Sequence, residues 1–360
     1  MSGDPIAVLL SGGVDSAVAA ARLVEDGADV RGYFLALTPH EGEPREGSCS
    51  SPDDAVDARA VARALGIPFT VLDLERAFRE IVLEPYLREY AAGRTPNPCT
   101  RCNPAIKFGR FAELVRADSG IERVASGHHA RVALDSESGR WALRRGADRA
   151  KDQSYFLFGL DQRQLSSALF PVGGMSKAAV REEARRLGLA VAGKSESQEF
   201  CFVHPRRRAA FIAERVDTGA GEIVDRAGRV LGEHQGLQSF TVGQRKGLGI
   251  AAAEPLFVLA LDAGNNRVVV GPQQALDVAG FNVAGYNAVA AAAPGADGME
   301  AAVQVRYRAE PQACTARPGT EGRVDIEFDE GHGPVAPGQA AVLYRGETVL
   351  GGGWIERVQA

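Results

Sequence analysis

The chain has 360 residues, of which 45% are hydrophobic and 24% charged, a globular composition that excludes a collagen, a coiled coil or a disordered tail protein. Its apolar runs fall far short of the ~20 residues that a bilayer-spanning helix needs, and five cysteines are too few for a disulfide scaffold. The formal net charge of −5 by itself argues against a nucleic-acid partner. We therefore expect two or three domains, a reducing cytoplasm and no membrane association.

The first 130 residues alternate between strand-like and helix-like patterns. Strands are predicted at residues 6–10, 30–37, 69–74 and 123–125. Helices are predicted at residues 16–26, 53–65 and about 104–117, and a further one at 177–187. Repeated β-α-β units predict a parallel sheet covered by helices on both faces, with ligands at the carboxyl ends of its strands.

Helical signals fade from about residue 220. Glycine and proline then separate short β-branched runs at residues 267–270, 301–307, 323–328 and 340–344. The alanine-rich stretch 288–296 has the composition of a loop between them. This spacing predicts a small β-barrel or sandwich at the carboxyl end of the chain.

The net charge conceals an uneven distribution along the chain. Residues 1–60 have a net charge of −7, residues 101–250 of +8 and residues 251–360 of −6. The densest basic stretches are Arg140, Arg144, Arg145, Arg149 and Lys151, followed by Arg206, Arg207 and Arg208. Each run is either ordinary solvated surface or part of a face that binds a polyanion.

A glycine-rich loop follows the first predicted strand. Its sequence is Ser11-Gly12-Gly13-Val14-Asp15-Ser16, and it opens the first predicted helix. Glycines allow close approach of the backbone to a ligand, and a helix N-terminus attracts anions, so the loop is suited to pyrophosphate unless it is an ordinary tight turn. The full string resembles the PP-loop of ATP pyrophosphatases, which implies ATP binding and a magnesium-holding role for Asp15.

A second stretch, Gly188 to Ser195, matches the G-x-x-x-x-G-K-[ST] phosphate-binding pattern letter for letter. The pattern requires a strand before it and a helix after it. Here a predicted helix precedes it and no apolar helix follows. We therefore do not interpret it as a nucleotide site.

The cysteines leave three interpretations open. Cys99 and Cys102 lie in a proline-stiffened loop that we expect to precede a helix, a position that favours the thiolate of Cys102, and Cys201 lies between two phenylalanines. Buried, inert thiols suit Cys314 and Cys49. A zinc or iron–sulfur site could use this C-x-x-C together with Cys201, but structural zinc almost always takes four ligands and a second C-x-x-C is missing. The third interpretation is a redox-active pair, in which one thiol attacks and the other carries sulfur.

Several longer motifs occur in one order. The glycine-rich loop is followed by T-P-N-P-x-x-x-C-N at residues 95–103, Ser126-Gly127-His128, Lys151-Asp152-Gln153-Ser154-Tyr155-Phe156-Leu157 and a cysteine near residue 200. Residues 243–249, Arg306-Tyr307 and Gly351-Gly352-Gly353 continue the series. In these motifs the chain resembles the tRNA-specific 2-thiouridylases over nearly its whole length.

The resemblance implies a domain plan and a set of site residues. The plan is α/β: an N-terminal parallel-sheet PP-loop domain of the adenine nucleotide alpha hydrolase-like type (1–205), a small central domain contacting tRNA (206–275) and a C-terminal β-barrel (276–360). The implied ATP-binding residues are Leu9, Leu10, Ser11, Gly12, Gly13, Val14, Asp15, Ser16, Leu35 and Gly127. Those implied to lie at the target base are Asn97, Pro98 and Cys99. Those implied to contact tRNA are His128, Lys151, Asp152, Gln153, Arg306, Tyr307 and Gln339.

The resemblance also implies the chemistry. ATP with Mg²⁺ adenylates the 2-oxygen of the wobble uridine, Cys201 carries a persulfide, and Cys102 is the nucleophile that ends in a disulfide with Cys201. The implied partners are tRNAs for glutamate, glutamine and lysine, and a sulfur donor such as a cysteine desulfurase or sulfur-relay protein. For the two thiols to meet, the segment around Cys201 must fold back over the loop, and we expect this when tRNA binds.

Two positions depart from the family pattern. Cys99 stands where some members have an aspartate, which keeps open an iron–sulfur cluster on Cys99, Cys102 and Cys201. His129 stands where a tyrosine is common. Two rival functions remain: another PP-loop ligase that uses nitrogen in place of sulfur, and a non-catalytic RNA-binding or metal-stapled module.

Overall fold

The computed structural model describes residues 4–38, 52–195, 200–203 and 205–359. The strands are β1 (Ile6–Leu9), β2 (Val30–Ala36), β3 (Phe69–Asp73), β4 (Arg123–Ala125), β5 (Ala130–Leu134), β6 (Trp141–Arg145), β7 (Ala168–Leu169), β8 (Gly221–Asp225), β9 (Val230–His234), β10 (Phe257–Asp262), β11 (Arg267–Gly271), β12 (Val278–Ala288), β13 (Met299–Gln304), β14 (Gln312–Pro318), β15 (Val324–His332), β16 (Ala340–Arg345) and β17 (Thr348–Gln359). The α-helices are α1 (Val14–Glu25), α2 (Pro52–Leu65), α3 (Glu75–Phe78), α4 (Glu84–Ala91), α5 (Cys99–Cys102), α6 (Phe111–Ser119), α7 (Gln162–Ser167), α8 (Lys177–Arg186) and α9 (Arg208–Ala213). Among these described residues, every helix is too short or too polar to cross a membrane.

The chain divides into two compact units. The N-terminal unit comprises Met1–Val82, Pro98–Arg206 and Glu347–Val349. The barrel unit comprises Leu83–Asn97, Arg207–Gly346 and Leu350–Ala360. The chain therefore returns from the barrel unit to the N-terminal unit between Asn97 and Pro98.

A five-stranded sheet of order β3-β2-β1-β4-β7 forms the centre of the N-terminal unit. Neighbouring strands are parallel throughout, which confirms the sheet predicted from the β-α-β pattern. β1 is buried along its whole length because it pairs on both sides, as an apolar run in a parallel sheet should. The buried residues of α1 are mainly alanines, which permit close packing of the helix on the sheet.

Two features of this unit differ from the sequence prediction. Residues 130–145 form an antiparallel β5–β6 hairpin, whose arginine-rich second strand pairs at Arg144 with Thr348. The helix expected from about residue 104 begins five residues earlier, at Cys99, and continues through a π-helical stretch, Asn103–Arg110, into α6. Pro104, which has no N–H to donate, is the second residue of this π-helical stretch.

The barrel unit contains two β structures. Strands β12-β15-β14-β13-β16-β17 form a closed barrel because β12 also pairs with β17. Of the two architectures predicted for the carboxyl end of the chain, the closed barrel is therefore confirmed. Its core includes Phe281, Ile326 and Leu343. A separate four-stranded sheet of order β10-β11-β8-β9 packs around Val258 and Val268 and forms the small central domain.

Candidate active site

The glycine-rich loop leaves β1 at the carboxyl edge of the parallel sheet. The Ser16 hydroxyl closes it, accepting from the Ser11 N–H at 3.1 Å and donating to the Gly13 carbonyl at 2.9 Å. Gly12 has a φ of +72°, and a Cβ added there would lie 2.5 Å from the Asp54 carbonyl oxygen, so only glycine fits. The N-cap residue of the 12-residue helix α1 is Gly13, which has no side chain with which to cap the first amides. These amides can therefore bind an anion.

Asp15 lies in the first turn of α1 and is held by two basic side chains. The Lys177 ammonium donates to both Asp15 carboxylate oxygens at 2.7 Å, and His129 Nε2 lies 3.2 Å from Oδ1. Burial alone would raise the pKa of the Asp15 carboxyl, but the hydrogen bonds from His129 and Lys177 outweigh it and lower this pKa below its ordinary value. Asp15 is therefore an ionised carboxylate beside the loop.

The other residues expected at ATP surround the same loop. A Cβ added at Gly127 would lie 2.5 Å from the Ser16 nitrogen, so the chain at Gly127 passes directly over the first turn of α1. Leu9 pairs with Tyr33 on β2, and Leu35 lies two residues further along that strand. The Leu9–Ser16 segment and Gly127 therefore meet in one place, with Leu35 on the neighbouring strand.

The cysteines occupy different local settings. Cys102 is buried at the end of the first helical turn, where its N–H donates to the Pro98 carbonyl at 2.9 Å. Our expectation that Cys102 precedes the helix is wrong: Cys99, which is half-buried, occupies the helix start, because the helix begins at the residue after Pro98. Cys99, Cys102, Cys201 and Cys314 are thiols.

Cys201 lies on a turn, and its two neighbours in the sequence are the aromatic residues Phe200 and Phe202. The Phe200 and Phe202 rings are stacked at 5.9 Å between centroids, and the Phe202 ring also packs at 5.7 Å against Phe78. Phe202 is buried and therefore anchors this turn. Within the described ranges, no group of three or more His, Cys, Asp and Glu side chains is arranged to hold a metal ion.

The inert interpretation fits Cys314. Its side chain lies in the barrel core, and burial raises the pKa of this thiol to about 12. The thiolate is therefore negligible near neutral pH. Cys49 lies outside the described residues.

Asp152 is an interior residue. Its carboxylate accepts from Arg145 at 2.8 Å and, at 3.0 Å each, from the Gly146 N–H, the Ser154 N–H and the Ser154 hydroxyl. The side-chain oxygen of its neighbour Gln153 accepts from the His129 N–H at 2.9 Å. These bonds fix the shape of the 151–154 loop, on which Lys151 is half-buried.

His128 lies in an aromatic cluster. Its ring is about 6 Å from those of Phe108 and Phe170, and the Ser126 hydroxyl is 2.8 Å from Nδ1. Burial, followed by the positive charge of Lys107, holds the pKa of His128 well below its ordinary value. The ring is therefore neutral near pH 7.

Four predicted site residues belong to the barrel unit: Asn97, Arg306, Tyr307 and Gln339. Arg306 is exposed, and the Tyr307 ring contacts the Arg308 guanidinium, whose carbon lies 5.2 Å from the ring centroid. The Gln339 amide donates to the Thr95 carbonyl, two residues before Asn97. Pro98 and Cys99 belong to the N-terminal unit.

The chain matches three family models in succession. They are described as a tRNA methyl transferase HUP domain (residues 4–205), a tRNA methyl transferase PRC-barrel domain (209–272) and an aminomethyltransferase beta-barrel domain (279–355). The chain is 46% identical to the tRNA-specific 2-thiouridylase MnmA of Solibacter usitatus, over 99% of this chain and 100% of that one. It is 47% identical to the protein of the same name from Geotalea uraniireducens, over 98% and 94%.

The chain belongs to the tRNA-specific 2-thiouridylase family. The family resemblance drawn from the motifs is thereby confirmed. Among solved structures, a 4-thiouridine synthetase in complex with RNA and ATP aligns with this thiouridylase-family chain at 15% identity and a TM-score of 0.36, over 59% of this chain and 50% of that one.

Lys177 and the role of His129 were missed by sequence reasoning. Lys177 is the first residue of α8, after the N-cap Ser176, and reaches Asp15 across 162 residues of sequence. The Lys194 ammonium of the second glycine-lysine pattern instead contacts Asp54 at 2.7 Å and Asp57 at 2.5 Å. That pattern follows α8 and not a strand, as expected.

Proposed function

We propose that this protein is an ATP-dependent tRNA sulfurtransferase that converts the wobble uridine of tRNA to 2-thiouridine. The observation that supports this most is that an anion-binding loop with an ionised Asp15 occurs in the same compact unit as the thiols of Cys102 and Cys201. ATP activation needs the first feature and sulfur transfer needs the second. Reduced cysteines also suit the cytoplasm, where we place the protein.

In the first step, the 2-oxygen of uridine attacks the α-phosphorus of ATP, and the bond between the α-phosphorus and the bridging oxygen breaks to release pyrophosphate. This step is needed because oxide is a poor leaving group, whereas AMP is a good one. The loop amides and the N-terminus of α1 would hold the pyrophosphate oxygens. The close approach of the chain at Gly127 to Ser16 supports a role for Gly127 at the same nucleotide.

Magnesium fits the donor chemistry of this loop. The Asp15 carboxylate is ionised and its side chain is 31% exposed, so it offers the hard oxygen ligand that Mg²⁺ prefers. When bound, the ion would neutralise phosphate charge. Lys177 holds Asp15 in place and brings a positive charge to the same position.

In the second step, the terminal sulfur of a Cys201 persulfide attacks carbon 2 of the uridine and AMP departs. The Cys102 thiolate then attacks Cys201 Sγ, which forms the Cys102–Cys201 disulfide and leaves the sulfur on the base. An external thiol must reduce this disulfide, and a cysteine desulfurase or sulfur-relay protein must recharge Cys201. Asn97, Pro98 and Cys99 would lie at the base, splayed out of the anticodon stack.

The test is thiolation in vitro with ATP, magnesium, a cysteine desulfurase with free cysteine as the persulfide source, and tRNAs for glutamate, glutamine and lysine, with 2-thiouridine quantified by nucleoside mass spectrometry. We expect Cys102→Ser and Cys201→Ser to form no 2-thiouridine but to retain ATP–pyrophosphate exchange, and Cys314→Ala to remain active. Thiolation at the wild-type rate in either serine variant would refute the cysteine roles.

Other outcomes of the same assays identify the rivals. Nitrogen incorporation in place of sulfur would indicate a PP-loop ligase, and the absence of exchange in the wild type would indicate a binding module. Iron and sulfide in anaerobically purified protein, lost in Cys99→Ser, would indicate a cluster on Cys99, Cys102 and Cys201. A colourless, iron-free and active enzyme would support the persulfide route.

A further inference from the structure

Residues 146–153, which we call the linking loop, include Lys151, one of the residues implied to contact tRNA. The Asp148 carboxylate of this loop accepts from the Lys177 N–H at 2.9 Å and from the Ala150 N–H at 3.1 Å. The Asp148 carbonyl accepts from the Lys151 N–H at 3.0 Å. One turn of the linking loop therefore joins Lys151 to the lysine whose ammonium holds the carboxylate of the glycine-rich loop.

Asp148 holds the main chain of Lys177. The hydrogen bond from the Lys177 N–H lowers the pKa of the Asp148 carboxyl below its ordinary value, so the acceptor is charged. Lys177 is the first residue of α8, and a negative charge at a helix N-terminus is favourable. The main chain of Lys177 is fixed in this way while its side chain, 11% exposed, donates to both Asp15 oxygens.

The linking loop also holds His129, the second partner of Asp15. The His129 N–H donates to Gln153 Oε1 at 2.9 Å, and the Gln153 N–H donates to the His129 carbonyl at 2.9 Å. Packing is equally close at the other end of the loop, because a Cβ added at Gly146 would lie 2.5 Å from the His129 carbonyl oxygen. Both residues that hold Asp15 are therefore held, through their main chains, by the linking loop.

From these contacts we infer that the linking loop couples RNA binding at Lys151 to nucleotide binding at Asp15. The inference rests on the proposed function for the identity of the two ligands, but the bonds from the loop to Lys177 and His129 do not. RNA bound at Lys151 restricts the loop to one arrangement, and the nucleotide then binds without the entropy cost of fixing Lys177 and His129 itself. By linkage, the nucleotide must tighten RNA binding by the same factor.

Two variants act on the linking loop without removing a residue proposed to contact either ligand. Asp148→Ala removes the acceptor of the Lys177 N–H, so that Asp148 is tested as a positioning residue. Asp148→Asn keeps a side-chain oxygen that can accept this N–H and is the conservative rescue. Gly146→Ala adds a methyl group against the His129 carbonyl oxygen.

Each variant has a matched control in the same compact unit. The Asp135 carboxylate also accepts main-chain N–H groups, those of Glu137 at 2.9 Å and Ser138 at 3.0 Å, in the turn between β5 and β6. Asp135→Ala therefore loses the same kind of bond in a different loop. Gly174→Ala adds the same methyl group as Gly146→Ala, but a Cβ at Gly174 meets no atom within 4 Å.

The measurement is the dissociation constant of α,β-methylene-ATP with Mg²⁺, obtained by calorimetry on the full-length protein with and without a saturating anticodon stem-loop. The bond between the α- and β-phosphorus atoms of this analogue resists cleavage, so binding is separated from reaction. In the wild type we expect RNA to tighten the analogue about tenfold. In Asp148→Ala and Gly146→Ala this factor should fall to within about twofold of one, whereas in Asp148→Asn and both controls it should stay near the wild-type value.

The reverse titration, of the stem-loop with and without the analogue, must give the same factor. A factor near one in the wild type, or an unchanged factor in both loop variants, overturns the coupling. Urea unfolding of the same samples identifies a variant that fails to fold, and the other loop variant then decides. A wild type that shows the coupling but forms no 2-thiouridine would refute the proposed function and support the coupling, whereas a wild type that binds neither ligand would refute both.

Discussion

Gly127 offers the sharpest test of the proposed ATP site. In the structure, a Cβ added at this position would lie 2.5 Å from the Ser16 nitrogen, 2.6 Å from the Asp15 carbonyl carbon and 2.8 Å from the Ser16 Cα. All three are main-chain atoms in the first turn of α1. Unlike the end of a flexible side chain, they cannot move aside without moving the helix start. Gly127→Ala therefore acts on the loop that we propose binds pyrophosphate.

The size of the effect follows from these distances. Ordinary contacts of a Cβ begin at about 3.4 Å, so the two segments must separate by roughly 0.9 Å. A misplacement of about 1 Å at a reacting group costs on the order of 100-fold in rate. Overpacking of this kind also costs about 1–3 kcal/mol of the free energy of unfolding, which leaves a folded protein to assay.

The assay is tRNA-dependent ATP–pyrophosphate exchange, with urea unfolding measured on the same samples. The matched control is Gly174→Ala, because an added Cβ at Gly174 meets no atom within 4 Å. We expect exchange to fall about 100-fold in Gly127→Ala and to stay near wild type in Gly174→Ala. Exchange within threefold of wild type in a folded Gly127→Ala variant would refute this placement of the site.

Three further predictions concern groups around the site. Lys177→Met should weaken ATP binding about tenfold by calorimetry, while Lys177→Arg should largely retain it, because the cation at Asp15 is lost only in the first. Asp152→Asn should lower the free energy of unfolding by about 3 kcal/mol in urea titrations, since it leaves the Arg145 charge buried without its carboxylate. The folded-state pKa of His128 is lowered, so its contribution to the free energy of unfolding is complete above the unfolded pKa of about 6.5 and is lost as the pH falls below that value. Relative to His128→Gln, the free energy of unfolding of the wild type should therefore fall by up to ~1.4 kcal/mol for each pH unit below it.

The fold was predictable where its signals are local. Apolar runs such as Ile6–Leu9, followed by glycine and an alanine-rich helix, are sufficient to predict a β-α-β order and hence a parallel sheet. Strands β5, β6, β8 and β9 are short, polar or arginine-rich, so no alternation marks them. They are strands because their backbones pair with partners that sequence patterns do not reveal.

The site was predictable to the same extent. The glycine-rich loop is a contiguous string whose conformation follows from its own residues. The partners of Asp15 could not be predicted in this way, because His129 lies 114 residues away in the sequence and Lys177 lies 162 residues away. A lysine at the first position of a helix after a serine N-cap is common, and only the packing of α8 near α1 brings this one to the loop.

The charge distribution along the chain takes a different meaning once the ion pairs are placed. Lys177 and Lys194, from the basic middle of the sequence, neutralise Asp15, Asp54 and Asp57 from its acidic first 60 residues. Part of the opposite charge of these two segments is therefore used in internal ion pairs that stabilise the loop and α2. The positive charge of the middle segment does not by itself indicate an RNA-binding face. Arg145 is likewise buried with Asp152.

The basic side chains that remain for a polyanion are those at the surface. Arg149, Arg206 and Arg207 are exposed, and charges of this kind release counterions when they meet phosphates. Arg207 also contacts the Glu214 carboxylate at 3.3 Å. Such a pair can be exchanged for a phosphate at little cost in free energy, because surface ion pairs contribute only about 0–1 kcal/mol to stability. The proposed affinity for tRNA thus depends on exposed basic side chains such as these, and not on the +8 of the whole middle segment.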